Sequence, residues 1–327
     1  MHNHVDITAT EVITQDDREA WLNARQSGIG ASEIAAVLGE SPYSSRLRIW
    51  GQKVGRILPQ DLSDVEAVQM GIELEPLVAN LYSKKTSRPV EPAGILLRSD
   101  EYPWALATPD YWLMDGDGNW RIPLQIKTTS AWRVNDWAEG PPVHIWWQVQ
   151  HEMFVTGAPW ASVGVLVGGQ RFMWVDVERD EDAIQRIIYE GGIFWNQVQS
   201  QEYPDPDMLE DTTHSIQSLF PSSAEGEVLG LPADAVEWDR ELTQYKAQRS
   251  ELEDHIRHLE NNLKLSIGPA EKGVLHDGSG AYTYKSQDRW SYTLAEGEAK
   301  PTESGAIVSA VAKRTEFRVL RRTGDSE

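Results

Sequence analysis

The chain has 327 residues, of which 40% are hydrophobic and 14 are tryptophan, so it is long enough and apolar enough to bury a full core. Its net charge is −21, with acidic residues in excess on both sides of Tyr203, which excludes a cationic protein that coats nucleic acid. It has no cysteine, no apolar run of about 18 residues and no basic-then-apolar leader, so we expect a globular cytoplasmic protein without disulfides, membrane span or signal peptide.

The first predicted helix lies in TQDDREAWLNAR and ends near Arg25. The segment SGIGASEIAAVLG follows, with flexible glycines before Ser32 and a small-residue helical run after it. Backbone N–H groups at this helix start, beside Arg25, would form an anion site. In the alternative interpretation, Ser32 only caps the helix. A dinucleotide-binding interpretation of the glycines fails because no strand precedes them and the third glycine is missing.

An apolar stripe at helical spacing predicts a helix over residues 64–86. Pro76 lies inside this helix and cannot donate a backbone hydrogen bond, so we expect a kink or break between Glu73 and Leu77. The stripe consists of Val65, Val68, Leu74, Leu77, Val78, Leu81 and Tyr82.

The segment from Trp104 to Ser130 predicts a β-hairpin, with its turn in the DGDGN sequence. Successive side chains of a strand alternate between faces, so Gln125 and Lys127 share one face while Ile126 points into the core. Pro109 and Asp110 end the first short apolar run of this segment. The hairpin therefore presents an acid, an amide and an amine on one side.

These groups suit phosphodiester hydrolysis. A carboxylate from Asp110, an oxygen from Gln125 and the Ile126 carbonyl would form an all-oxygen pocket for Mg²⁺, with Mn²⁺ as a substitute. Lys127 could orient or deprotonate the attacking water. The alternative is an exposed hairpin with ordinary polar residues.

A helix in VHIWWQVQHEMFVTG follows and carries Gln148. His144 and His151 share a face, but the second histidine of a zinc-binding HExxH helix is missing, so we expect no metal there. Two strands joined by a Gly-Gly turn and a closing helix, DEDAIQRIIYEGGIFWNQVQ, complete the region up to Tyr203.

The composition changes after Tyr203. Residues 204–234 are rich in proline, serine and acids without a sustained period, which predicts a linker or an irregular wrap. From Ala235, apolar residues at seven-residue spacing predict a helix of about 30 residues, followed by a hairpin around HDGSG and a basic strand. We expect a core over 1–203 and an appendage over 235–327. The appendage would serve oligomerisation or partner docking, or would pack back on the core.

Two basic clusters could guide DNA despite the acidic exterior, because a protein that holds one duplex end needs only local positive charge. Each could equally be a solvated surface. The first cluster contains Arg46, Arg48, Lys53 and Arg56, and the second contains Lys313, Arg314, Arg318, Arg321 and Arg322.

The pair Pro109-Asp110 and the tripeptide Gln125-Ile126-Lys127 resemble the motif of the PD-(D/E)XK nucleases. Four further blocks occur in the order seen in the lambda exonuclease and YqaJ-like viral recombinase branch of that family. The resemblance implies an α/β restriction-endonuclease-like core, with a central mixed sheet flanked by helices, and a C-terminal helical and β appendage. The blocks are Arg25 to Trp50, Met70 to Tyr82, Ile145 to Gly157 and Phe172 to Asp182.

The resemblance also implies roles for single residues. Arg25, Ser32 and Thr108 would hold the DNA 5′-phosphate. Asp110, Gln125, the Ile126 carbonyl and Glu75 would hold the metal. Lys127 would act on the water, and Gln148 would line the site. The chain departs from the family at Gln125, where most members carry Asp or Glu, although Mrr-type restriction enzymes resemble it in carrying glutamine.

The implied reaction is Mg²⁺-dependent 5′-to-3′ exonuclease digestion of linear duplex DNA. It would leave a 3′ single strand for an annealing protein, in a bacterial host or phage-infected cell. Family members that look like this chain form rings, so we expect a homo-oligomer of three or four subunits. Two alternatives stay open. One is a DNA-end-binding protein whose metal site is weakened at Gln125, and the other is an endonuclease.

Overall fold

A computed structural model describes residues 9–14, 18–59, 62, 64–114, 121–294 and 310–323. The chain divides into two compact units, residues 1–225 and residues 226–327. The helices of the first unit are α1 (Arg18–Arg25), α2 (Ile34–Val37), α3 (Arg46–Lys53), α4 (Glu66–Thr86), α5 (Val143–Thr156), α6 (Glu181–Ser200) and α7 (Glu210–Leu219). Its strands are β1 (Ala9–Thr14), β2 (Ile29–Gly30), β3 (Val90–Pro92), β4 (Ile95–Ser99), β5 (Ala105–Ala107), β6 (Tyr111–Met114), β7 (Arg121–Thr129), β8 (Trp160–Val167) and β9 (Arg171–Glu178).

The strands form two sheets of mixed direction. The larger has the order β3-β6-β7-β8-β9, in which only β7 and β8 run parallel. The smaller has the order β1-β4-β5-β2, in which β2 and β5 run parallel. Parallel neighbours need a crossover, and the chain between β7 and β8 supplies it through α5.

Helix α5 lies between two hydrophobic cores. Val149 and Met153 pack in the core of the larger sheet, where α4 adds Val78 and Tyr82. Phe154 and other side chains of α5 pack in the second core, with α2, α3 and α6. The first unit is therefore a mixed α/β structure with central mixed sheets flanked by helices, which confirms the expected fold class.

We expected a kink or a break at Pro76, and of these two the break is wrong. Helix α4 continues through the proline from Glu66 to Thr86. Pro76 and Ile72 are both exposed, and the Ile72 carbonyl has no N–H donor four residues later. Packing of Val78 and Tyr82 against the sheet holds the rest of the helix in place.

The expected hairpins are present where the structure describes them. Strands β6 and β7 pair antiparallel, but the DGDGN turn lies outside the described residues. Strands β8 and β9 also pair antiparallel, and the turn between them places Gly168 at φ 59° and Gly169 at φ 71°. These are left-handed conformations that favour glycine.

The segment that we expected to be a linker, residues 204–234, contains helix α7, which belongs to the first compact unit. Asp211 ties it to the start of α3 by accepting hydrogen bonds from Ser45 and Arg48. Its buried positions include Thr212 and Ser215. Because polar contacts hold this helix, it shows no sustained apolar period.

The second unit contains α8 (Ala235–Ile267) and the antiparallel strands β10 (Lys272–Val274), β11 (Ala281–Leu294) and β12 (Ala310–Thr323). Tyr245, Leu252 and Leu259 on α8 are exposed. Among the described residues, no helix has both the length and the apolar character needed to cross a membrane.

Candidate metal and phosphate site

Residues far apart in the chain line one small cavity of about 260 Å³ in the first unit. Arg25 comes from the end of α1, Asp110 from the residue immediately before β6, and Gln148 from α5. Seven of the predicted site residues therefore meet at one place. The full lining is Trp21, Arg25, Gly30, Ala31, Ser32, Leu96, Thr108, Asp110, Gln125, Lys127 and Gln148.

The β6–β7 pair positions the motif residues. Asp110 Oδ2 accepts the Ile126 backbone N–H at 2.8 Å, which fixes the carboxylate across the two strands. Lys127 Nζ donates to Gln125 Oε1 at 3.0 Å, so these side chains share a face as predicted from strand alternation. The other end of the Gln125 amide approaches the Thr108 carbonyl, with Nε2 at 3.4 Å.

Two carboxylates and one ammonium group dominate the electrostatics. Burial raises the pKa of Asp110, while Lys127 and the Ile126 N–H oppose the shift. Burial also raises the pKa of Glu75 to about 7, with a further increase from repulsion by Asp110 and a decrease from Lys127. Glu75 does not line the small cavity, but it interacts electrostatically with both residues.

The donor set fits a hard divalent cation. Asp110 and Glu75 offer carboxylate oxygens, and Gln125 Oε1 can accept from Lys127 and still present a second lone pair. All of these donors are oxygen, which Mg²⁺ prefers. Within the ranges that the structure describes, no three His, Cys, Asp or Glu residues group to hold a metal, so a site here depends on the amide and backbone oxygens.

Arg25 and Ser32, which we expect to hold phosphate, meet in the wall of the cavity. Arg25 Nη2 lies 3.4 Å from Ser32 Oγ, and the guanidinium stacks 4.8 Å from the centre of the Trp21 ring. Ser32 does not cap the helix, because it lies inside a 3-10 turn, Ala31–Glu33, that begins after Gly30. We expected open backbone N–H groups here, and this prediction is wrong at Gly30, whose N–H donates to Glu33 Oε2 at 2.7 Å.

The first basic cluster is engaged within the fold. Lys53 is buried and pairs with Glu33 at 2.8 Å, while its Nζ also donates to the Arg25 carbonyl at 2.9 Å. Arg46 pairs with Glu190, and Arg48 pairs with Asp211. Arg56 donates to Tyr203 and Gln201. These contacts give the cluster a structural role, and the buried Lys53 side chain does not fit the alternative of a solvated surface.

The second basic cluster is partly engaged as well. Arg314 pairs with Asp288 on the neighbouring strand at 2.7 Å. Arg318 donates to the backbone carbonyls of Gly268, Ala270 and Tyr284. At least two of its five cations therefore stabilise the second unit.

Glu152, which lies one turn after Gln148 on α5, is a residue near the site that was not predicted from the sequence. Gln148 Nε2 donates to Glu152 Oε1 at 3.1 Å, and the Glu152 side chain is fully buried. Glu152 Oε2 has no hydrogen-bond partner among the described residues. The i, i+4 spacing to Gln148 was the one signal in the sequence that could have identified it.

A larger cleft of about 900 Å³ adjoins the small cavity and shares Ser32, Lys127 and Gln148 with it. Its walls include Tyr43 and Arg133, whose guanidinium lies 5.7 Å from the Tyr43 ring centre. His144 also lines this cleft, whereas His151 is fully buried, so the two histidines lie in different environments. The cleft provides room for a ligand much larger than a cation.

Comparisons with known proteins give a consistent family. The profile of the YqaJ-like viral recombinase domain matches residues 20–159. The uncharacterised protein YqaJ of Bacillus subtilis (strain 168) is 30% identical over 262 residues, which are 79% of this chain and 81% of the relative.

Solved structures that are similar to this chain include an alkaline exonuclease, LHK-Exo, from Laribacter hongkongensis. It is 23% identical, with a TM-score of 0.47 over 56% of this chain and 94% of that one. A phage related exonuclease from Haemophilus somnus 129PT is 13% identical, with a TM-score of 0.38 over 53% of this chain and 96% of that one. Because it matches the family profile and is 30% identical in sequence to YqaJ, the chain belongs to the YqaJ-like viral recombinase family.

Proposed function

We propose that this protein is a Mg²⁺-dependent deoxyribonuclease that digests linear duplex DNA in the 5′-to-3′ direction. The convergence of Asp110, Gln125 and Lys127 with Arg25 and Ser32 in one cavity carries the proposal. This arrangement combines oxygen donors for a cation, an amine beside them and a cation for phosphate, which are the groups that phosphodiester hydrolysis needs. Membership in a viral recombinase family adds support.

Each residue has a distinct part in this proposal. Asp110, Gln125, the Ile126 carbonyl and Glu75 hold the cation, for which Mn²⁺ is a substitute. When bound, the cation stabilises charge on the reacting phosphate and lowers the pKa of the attacking water. Lys127 borders both clefts, so its Nζ can hold or take the proton of that water. Gln148 lines the same site from α5.

The phosphate side supports recognition of a DNA end. Arg25 is fixed by its stacking on Trp21 and by its contact with Ser32, so its guanidinium is preorganised for a phosphate. Thr108 lies on the same cavity wall. A terminal 5′-phosphate held there would place the first phosphodiester bond near Asp110 and Lys127.

Digestion from 5′ ends would leave 3′ single strands for a single-strand annealing protein, in the cytoplasm of a bacterial host or phage-infected cell. We further propose a homo-oligomer of three or four subunits. Helix α8 supports assembly because Tyr245, Leu252 and Leu259 recur at seven-residue spacing and are exposed. Burying such a stripe against another copy would stabilise the contact.

Gln125 favours a second candidate, a DNA-end-binding protein with a weakened metal site. A neutral amide gives a divalent cation less Coulomb stabilisation than a carboxylate does. Such a protein would keep the contacts of Arg25 and Ser32 to the DNA end while cutting poorly or not at all.

Three substrates separate these functions and an endonuclease. We expect Mg²⁺-dependent, progressive loss of linear duplex with 5′-phosphates, slower loss with 5′-hydroxyl ends, and an intact closed circle. Nicking of the circle would indicate an endonuclease. Tight binding of linear ends without loss in Mg²⁺ or Mn²⁺ would indicate the end-binding protein.

A further inference from the structure

Glu152 is a buried acid to which the proposed function assigns no role. Its side chain is fully buried on α5, and its Oε1 accepts one hydrogen bond, from Gln148. Its Oε2 has no partner among the described residues. A buried carboxyl group with an unpartnered oxygen is costly when ionised, unless a positive group compensates its charge.

The surroundings of Glu152 lead to the candidate metal site. Gln148 connects it directly to the small cavity, which Glu152 itself does not line. Burial raises the pKa of Glu152 well above its usual range, Asp110 adds to the shift, and Lys127, Gln148 and Gln125 oppose it. Glu152 therefore lies one layer beneath the cavity, within electrostatic reach of Asp110 and Lys127.

Gln125, on strand β7, lines the cavity with a side chain that carries no charge. Gln125 is 1% exposed, and its amide approaches Lys127 on one side and the Thr108 carbonyl on the other. An amide can offer an oxygen to a cation but not a negative charge. Glu152 accepts a hydrogen bond from Gln148 and interacts with Gln125, and its Oε2 has no hydrogen-bond partner among the described residues.

We propose that Glu152 supplies, from helix α5, a carboxylate charge for the cation site in place of the charge that strand β7 lacks at Gln125. This inference rests on the proposed function, since it assumes a divalent cation beside Asp110. Glu152 also holds Gln148 in position through the hydrogen bond at 3.1 Å. Glu152 would therefore attract the cation and hold the Gln148 amide in place.

A charge exchange between the two positions tests the proposal. Mn²⁺ binding to the full-length, metal-free protein would be measured by electron paramagnetic resonance, with and without a 5′-phosphorylated duplex. The variants are Glu152→Gln, Gln125→Glu and the double exchange Gln125→Glu with Glu152→Gln. Glu139→Gln, an exposed acid before α5, is the matched control, and Asp110→Asn tests the cation site itself.

We expect Glu152→Gln to weaken Mn²⁺ binding by roughly 10- to 100-fold, the range typical of residues that support metal ligands. The double exchange should restore binding to near the native level, because it returns one carboxylate to the site. Gln125→Glu should tighten binding, and Glu139→Gln should leave it unchanged. Melting temperatures would confirm that each variant is folded. If Glu152→Gln alone does not fold, the comparison of Gln125→Glu with the double exchange keeps the test valid.

Native-like binding by folded Glu152→Gln, or a double exchange that binds as weakly as Glu152→Gln, would overturn the inference. If Asp110→Asn still loses binding in that experiment, the cation site stands and only the assignment of Glu152 fails. If Asp110→Asn binds Mn²⁺ as the native protein does, the proposed cation site fails as well.

Discussion

Asp110 accepts the backbone N–H of Ile126 at 2.8 Å, so the proposed metal ligand also joins the start of β6 to the middle of β7. The side chain thus has a catalytic candidate role and a structural one. A mutation that removes both the charge and the accepting oxygen affects both roles.

The first prediction separates these two roles. Asp110→Asn keeps an oxygen that can accept the Ile126 N–H but removes the charge, so we expect loss of Mg²⁺-dependent cleavage with little change in melting temperature. Asp110→Ala should also lose cleavage and in addition destabilise the fold by about 1–3 kcal/mol, because the Ile126 N–H loses its acceptor. Cleavage assays and thermal unfolding measure the two effects. Normal cleavage by folded Asp110→Asn would remove Asp110 from the metal site.

The second prediction concerns the 5′ end. Arg25→Lys keeps the charge but loses the planar fork that can bind a phosphate through two hydrogen bonds. We therefore expect digestion of 5′-phosphorylated duplex to slow by about tenfold or more, with a smaller effect on 5′-hydroxyl duplex. Arg121→Ala, at the exposed start of β7, is the matched control and should digest both substrates normally. Equal slowing on both substrates by Arg25→Lys would assign Arg25 to general DNA affinity.

The third prediction concerns Gln125. Gln125→Glu adds a negative charge beside the proposed cation, so the Mg²⁺ concentration for half-maximal cleavage should fall. The rate should also rise if the native site is weakened. Titration of Mg²⁺ in a cleavage assay measures both. If the native protein binds ends tightly but neither it nor the variant cuts with Mg²⁺ or Mn²⁺, the protein is an end-binding protein.

The fourth prediction follows from the pKa of Glu75, which burial and Asp110 raise to about 7. The folded protein holds the proton of Glu75 more tightly than the unfolded chain does. Glu75 therefore contributes stability that is fully present below its unfolded pKa and is lost as the pH rises through about 7. In metal-free buffer, the free energy of unfolding should decrease across this range.

Glu75→Gln should make that decrease smaller, as measured by urea unfolding at several pH values. It should not abolish it, because Asp110 and Glu152 have pKa values raised in the same direction. An unchanged pH dependence in the variant would show that Glu75 titrates normally in the folded protein.

The fifth prediction concerns assembly. Leu252→Gln with Leu259→Gln removes apolar area from the exposed stripe of α8 without removing the helix. We expect a lower oligomer mass in light scattering, and the same result for truncation after Glu225, where the first compact unit ends. Arg257→Gln, on the same helix but outside the stripe, is the control. An unchanged mass in both variants would assign assembly to the first unit.

Local patterns in the sequence predicted the part of the site that one hairpin builds. The alternation of strand side chains was enough to place Gln125 and Lys127 together, and their contact at 3.0 Å follows from it. The meeting of Arg25 with Asp110 depends on packing between separate elements, and the resemblance to a nuclease family supplied that expectation. The structure places both at the same cavity.

Other features could not be predicted because tertiary contacts decide them. The burial of Glu152 results from packing of α5 between two cores. Helix α7 was missed because its buried side chains, Thr212 and Ser215, are polar. The continuity of α4 through Pro76 depends on packing that outweighs one missing hydrogen bond.

The parallel pairing of β7 and β8 has a consequence for biosynthesis. During translation, β7 leaves the ribosome before α5 and β8, so the strand that carries Gln125 and Lys127 has no partner on that side until β8 has been made. Long-range parallel pairing is slow to form. A nascent chain therefore cannot assemble the cavity until Gln148 and β8 have emerged, so nuclease activity would appear only after most of the first unit has been synthesised.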